Sequence, residues 1–206
     1  TLARKFYLCS PLLSGGITLF ARGGAVAGET LFIHGASGSV GTSAIQLAKR
    51  AGLKVIGSAG TPEGLDLIRG EGADHAVNHR QPGYLDEVRR VAGDGPDLIL
   101  EMLADANLAA DMDLAAMHGR IVIIGCRGEV TINPRIAMAK ELDVRGFMIW
   151  NVPEDLRHAI MQDILAAAHE GTIRPIVGRE MPLTQAAAAQ VAVLENGNSG
   201  KIVLIP

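Results

Sequence analysis

Apolar residues recur with two periods along this chain of 206 residues. Short runs dense in Val, Ile, Leu and Phe, as in buried strands, alternate with stretches whose apolar residues lie three or four apart, as on one helix face. Strands are expected over residues 30–33, 54–58, 76–77, 97–101, 120–124, 143–149 and 201–205. Helical spacing shows at Ile45, Leu47 and Ala48, at residues 62–70, at Tyr84, Leu85 and Val88, at Leu108, Met112 and Ala115, and at Leu156, Ile160 and Ile164. A last helix is expected from near Thr184 to just before Gly197, and a short one over residues 17–21. Between Val130 and Phe147 the chain reads as a short strand followed by the longer one that starts at Asp143. Strand and helix alternate with no internal repeat, which predicts an α/β fold: a doubly wound parallel sheet with helices on both faces.

One junction carries more than packing. Thr30-Leu31-Phe32-Ile33 runs straight into His34-Gly35-Ala36-Ser37-Gly38-Ser39-Val40-Gly41 and then into a helix. Strand, glycine turn and helix in that order open a dinucleotide-binding βαβ unit of the Rossmann type. Aligned on Gly38 and Gly41, the common G-x-G-x-x-G pattern has Ala36 at its first position, with Gly35 one residue earlier. Gly38, lacking a Cβ, lets backbone N–H groups approach a pyrophosphate. Gly41 lets the helix lie close on the strand, and the helix N-terminus offers N–H donors and a partial positive charge. A glycine turn that merely joins strand to helix is the plainer reading. The strand and helix around it favour the dinucleotide.

Composition narrows the partners. Hydrophobic residues make up 48% and charged residues 20%, enough for a well-buried core. Aromatics are 3%, too few for a base-stacking platform, and the net charge is −3 with only Arg89-Arg90 as a basic pair. Nucleic acid and an anionic membrane surface are therefore not expected partners. Two cysteines, Cys9 and Cys126, in unrelated contexts make neither a disulfide framework nor a zinc cluster and suit a reducing compartment. With no apolar run of transmembrane length and no signal-peptide core near residue 1, a cytoplasmic location is expected.

The end of strand two speaks to the cofactor. An acid there binds the ribose 2′-hydroxyl of NAD. Here the turn reads Gly57-Ser58-Ala59-Gly60-Thr61, with no carboxylate before Glu63. Small and hydroxyl residues leave room for a 2′-phosphate, so NADP(H) is favoured. His79-Arg80, after strand three, either reaches the adenosine side or is a solvated turn; spacing leaves both open. His75, His118, His158 and His169 have no metal-ligand spacing with a cysteine or acid, and no metal is expected.

Several segments together resemble the zeta-crystallin group of NADPH:quinone oxidoreductases in the medium-chain dehydrogenase/reductase superfamily. They are residues 34–41, 57–61, Val77-Asn78-His79-Arg80, Glu101-Met102-Leu103-Ala104, Ile124-Gly125-Cys126-Arg127-Gly128, Ile132-Asn133-Pro134-Arg135 and Met138-Ala139-Lys140-Glu141. The resemblance runs from about Gly28 to the C-terminus. It implies that Ser37, Gly38, Ser39 and Val40 hold the pyrophosphate and that Gly60 and His79 surround the 2′-phosphate. It places Asn107 at the cofactor, with Ile124, Gly125, Cys126 and Arg127 along it and Phe147, Met148 and Ile149 near the nicotinamide. Cys126 is read as a small apolar filler. The implied activity is zinc-free reduction of a quinone by NADPH. An enoyl or alkenal reductase of the same superfamily, or a non-catalytic, crystallin-like NADPH-binding protein, are the alternatives. A homo-oligomer, dimer or tetramer, is implied. In this family a catalytic β domain precedes the cofactor domain and contributes a tyrosine; Tyr7 lies in no matching context. Residues 1–27 are thus expected to be a remnant of that domain, 28–170 the dinucleotide-binding domain, and 171–206 a segment that returns to the missing one.

Overall fold

The computed structural model describes residues 10–195 and 199–206, so Tyr7, Cys9 and Gly197 lie outside the described residues. Six parallel strands form the central sheet: β1 (Thr30–Ile33), β2 (Lys54–Ala59), β3 (His75–Asn78), β4 (Leu98–Glu101), β5 (Arg120–Ile123) and β6 (Asp143–Gly146). Their order, β3-β2-β1-β4-β5-β6, reverses direction between β1 and β4. That reversal is the switch point where open α/β sheets bind ligands.

The period of two along each strand builds two cores. Leu31, Ile33, Leu98, Leu100 and Val122 point to one face, where they meet a helix of residues 10–16 (α1), its π-helical continuation Ile17–Arg22, α2 (Ser39–Arg50), α3 (Pro62–Gly70) and α7 (Glu154–His169). Phe32, Ile56, Ile99 and Ile121 point to the other, under α4 (Tyr84–Ala92), α5 (Ala104–Leu114) and α6 (Pro134–Lys140). Burial on both faces is why β4 can be almost wholly apolar. Leu12, Ile17 and Leu19 are part of the first core, as is Ile173.

Helix starts follow local rules. Thr61 Oγ1 accepts the Gly64 N–H, with Pro62 at the first helical position. Asn133 and Pro134 do the same for α6, the Asn133 side chain accepting the Arg135 N–H. The stretch after Val130, expected as a short strand, is therefore a helix, because Pro134 cannot donate to a ladder but fits a first turn. Strand β6 also stops at Gly146. Phe147 still donates its N–H to Ile123 O, but Met148 leads into a 3₁₀ turn, Ile149–Asn151. A further strand, β7 (Val177–Pro182), pairs in parallel with β8 (Lys201–Ile205), and α8 (Ala186–Leu194) comes between them in the chain. Gly200 N–H donates to Ser37 O at 2.8 Å, which ties this small sheet to the turn after β1.

Candidate functional site

The residues singled out from the sequence gather at the C-terminal edge of the six-stranded sheet, in the turns that follow its strands or near the starts of α2 and α5. The turn after β1 is built around glycine. Gly35 sits at φ +54°, the left-handed region, and donates its N–H to Ser58 Oγ, while Ala36 N–H donates to Ser58 O. A Cβ on Gly41 would lie 2.5 Å from Ala36 Cα, so α2 can rest on the turn only without a side chain there. Gly38 is the N-cap of α2 and provides no side-chain hydrogen bond, which leaves the helix N-terminus without an internal acceptor from its cap. A Cβ on Gly38 would meet only Gly35 O, at 3.3 Å. The close helix–strand packing thus belongs to Gly41, and the open helix N-terminus lies at Ser39 and Val40, since the Gly38 N–H already donates to Gly35 O.

The ends of β2 and β3 meet beside this turn. A Cβ on Gly60 would lie 2.6 Å from His79 Nε2 and 3.0 Å from Arg80 Nε, so the three positions expected near a 2′-phosphate are brought together. His79 Nδ1 lies 3.4 Å from Ser58 Oγ. Partial desolvation, then the nearby His34 and Arg80, hold His79 below its ordinary pKa. Ser58, buried near the C-terminal end of β2, thus holds both the glycine turn and His79.

Across the switch point the loops after β4 and β5 are fastened to each other. Glu101 O accepts the N–H groups of Ile124 and Gly125, and Ala104 N–H donates to Gly125 O. A Cβ on Gly125 would collide with Met102 O. Arg127 N–H donates to Asp105 Oδ1 at 2.8 Å, and the exposed Cys126 donates its S–H to Gly128 O. Asn107 Nδ2 donates to Glu101 Oε1 at 3.1 Å. Phe147 and Met148 line an open groove with Ile17, Arg22 and Val152; Ile149 lies beyond it in the 3₁₀ turn.

A buried polar cluster beneath these turns was not anticipated. Register pairs Ile33 with Leu100, so the next residues, His34 and Glu101, lie side by side on the face that carries Phe32 and Ile99. Asp111 comes down onto them from α5. His34 Nε2 lies 2.7 Å from Asp111 Oδ1 and 3.3 Å from Glu101 Oε2, and the three residues are 0–4% exposed. Burial, reinforced by their mutual proximity in the case of Glu101, pushes Glu101 up to about 7; burial pushes Asp111 up to about 6. Burial lowers His34, against the opposing pull of Glu101. The signal was present: extending the inward-facing positions 32 and 99 by two reaches two polar residues, and Asp111 lies three residues after Leu108 on the buried stripe of α5.

Residues 39–165 match the zinc-binding dehydrogenase family. The chain is 38% identical over 197 residues to the quinone oxidoreductase of Rattus norvegicus, covering 95% of this chain and 60% of that protein. It therefore spans less than two thirds of that curated relative. The solved quinone oxidoreductase of Thermus thermophilus, determined also with NADPH, superposes with a TM-score of 0.84 at 31% identity, over 94% of this chain and 63% of that one. A solved NAD-dependent alcohol dehydrogenase superposes with a TM-score of 0.86 at 28% identity, over 95% and 56%. Zinc is in the family's name, and the donors present decide whether this chain can hold it. Among the described residues, the one group of three gathered His, Cys, Asp or Glu donors is His34, Glu101 and Asp111. It has no cysteine, is sealed from solvent, and already contains a His34–Asp111 hydrogen bond. A catalytic zinc keeps a position open to substrate, so this cluster does not fit one and no step through zinc follows. Sheet order, glycine turn and family match agree: the chain belongs to the zinc-binding dehydrogenase family, within the medium-chain dehydrogenases and reductases.

Proposed function

We propose that the chain binds NADPH at the switch point and serves as the cofactor domain of an NADPH-dependent quinone oxidoreductase. The observation that carries the reading is the cradle itself. The N-terminus of α2 has no side-chain cap, and Gly60, His79 and Arg80 converge beside it with no carboxylate at the end of β2. The first accepts a pyrophosphate and the second a 2′-phosphate. Since a relative of the same fold is NAD-dependent, the fold does not choose the nucleotide; the missing carboxylate favours NADPH. Ser37 to Val40 would hold the pyrophosphate. Asn107, Ile124 to Arg127 and Phe147 to Ile149 would flank the rest. Bound NADPH supplies a hydride or electrons to an easily reduced acceptor such as a quinone. The chain's own part is to bind and orient it and, through Phe147 and Met148, to form one apolar wall for the acceptor.

The test compares NADPH with NADH by fluorescence titration, then follows NADPH oxidation at about 340 nm with a benzoquinone. NADPH is expected to bind more tightly. Turnover is expected to rise when a β domain of the kind its longer relatives carry is supplied, since an acceptor held against one wall alone is poorly positioned. Equal nucleotide affinities would remove the 2′-phosphate assignment. Full turnover by the chain alone would remove the need for a second wall.

We further propose a homo-oligomer. Strand β6 is the sheet edge, is largely exposed, and carries Val144 at 41% exposure. Unpaired edges of this kind invite pairing with a second copy. Light scattering is expected to show a dimer or larger; a monomer at high concentration would count against it.

A further inference from the structure

The polar cluster under the turns has a proton to account for. Glu101 Oε1 accepts from the Leu103 N–H and from Asn107 Nδ2, and Asp111 Oδ1 is bonded to His34 Nε2. The other two oxygens, Glu101 Oε2 and Asp111 Oδ2, are buried and have no hydrogen-bond partner among the described residues. Buried polar atoms are rarely left so. The ligand-type atoms of the three residues all lie within 4.8 Å of one another, so the two carboxyl groups are neighbours. A proton between the carboxyl groups would give both oxygens a partner.

We propose that Glu101 is held in the folded chain as a carboxylic acid whose O–H donates to Asp111, and that this bond makes Glu101 the positioning residue for Leu103 and Asn107 at the cofactor edge. Its carbonyl oxygen then keeps accepting from Leu103 and Asn107, while its backbone carbonyl holds Ile124 and Gly125. One residue therefore orients the loops after both β4 and β5. The groups that face the pair are His34 just beyond β1 and Tyr84 from α4; His79 beyond β3 interacts with His34, and Arg80 with His79. Burial and the two acids push Tyr84 up to about 12, so it stays neutral. Loss of the shared proton to solvent leaves two adjacent buried carboxylates, whose repulsion breaks the anchor. An acid with a raised folded pKa contributes stability that is complete below its unfolded value and lost as pH rises through the folded one. For Glu101 the window runs from 4.5 to about 7.

The proton can be tested without any nucleotide; only the last step rests on the NADPH reading. Infrared difference spectra of the ligand-free chain at about pH 6 should show a protonated-carboxyl band that Glu101→Gln removes. Asp111→Asn puts an N–H where the shared proton sat, so its thermal midpoint should fall between about pH 5 and 8 by roughly 5 °C less than that of the wild type. Hydrogen exchange at the Leu103 amide should be protected in the wild type and in Glu101→Gln and fast in Glu101→Ala. NADPH affinity should fall about tenfold in Glu101→Ala and recover in Glu101→Gln. No protonated band, equal pH slopes, a stoichiometric metal ion on the purified chain, or a Leu103 amide indifferent to Glu101 would each overturn the proposal. A chain that keeps the band and the amide pattern yet binds no NADPH would sink the cofactor reading alone.

Discussion

Two strand-to-helix turns stand side by side at the sheet edge and are finished in opposite ways. After β1, α2 begins at a glycine with no side-chain cap. After β4, α5 begins at Leu103, whose N–H is taken by Glu101, and Asp105 in its first turn reaches across to the Arg127 N–H. Both helices point a partial positive charge at the same edge. One leaves it open; at the other the Leu103 N–H is taken by the Glu101 side chain and the Ala104 N–H by Gly125 O. An anionic ligand would meet open donors at the first turn and filled positions at the second.

The contrast can be broken first where packing is tightest. Gly41→Val forces a side chain against the Ala36 backbone, and about 3 kcal/mol of stability should be lost, read as a lower denaturation midpoint. Gly38→Val meets only one carbonyl oxygen and should leave the midpoint nearly unchanged. Instead it should weaken NADPH about a hundredfold, ~2.7 kcal/mol, by covering the open N-terminus. Equal behaviour of the two variants would dissolve the distinction between packing glycine and binding glycine. A smaller effect comes from placing a carboxylate beside the first turn, so that it resembles the second. Gly60→Asp requires the exposed His79 to shift and sets a negative charge where the 2′-phosphate is proposed. NADPH should weaken about tenfold in a titration while NADH changes little; parallel losses would mean that the site was merely distorted.

Much of this was legible because burial writes itself into hydrophobic pattern. Strands β1, β2, β4 and β5 lie in the core, and so their apolar runs announced them. Strand β7 did not, since only Met181 of its six residues is buried and its alternation is lost. The Asn133-Pro134 start of α6 uses the same grammar as Thr61-Pro62, but the helix buries no residue fully, so no apolar stripe pointed to it. The packing role of Gly41 in the glycine turn was readable. The His34–Glu101–Asp111 cluster left a weaker trace, polar residues on inward-facing positions, because its members lie far apart in sequence and each is ordinary alone. Only the register of β1 against β4 makes them neighbours.

The hydrogen bond from Gly200 to Ser37 joins an early segment of the chain to a late one. During synthesis the glycine turn leaves the ribosome long before residue 200, and α2 can form behind it by local contacts alone. Parallel strands need distant partners and assemble slowly. The turn that is made first therefore receives its final restraint last, when β8 docks beside β7. Until then the nascent chain presents a glycine turn without its last tether, the hydrogen bond from Gly200 to Ser37 O.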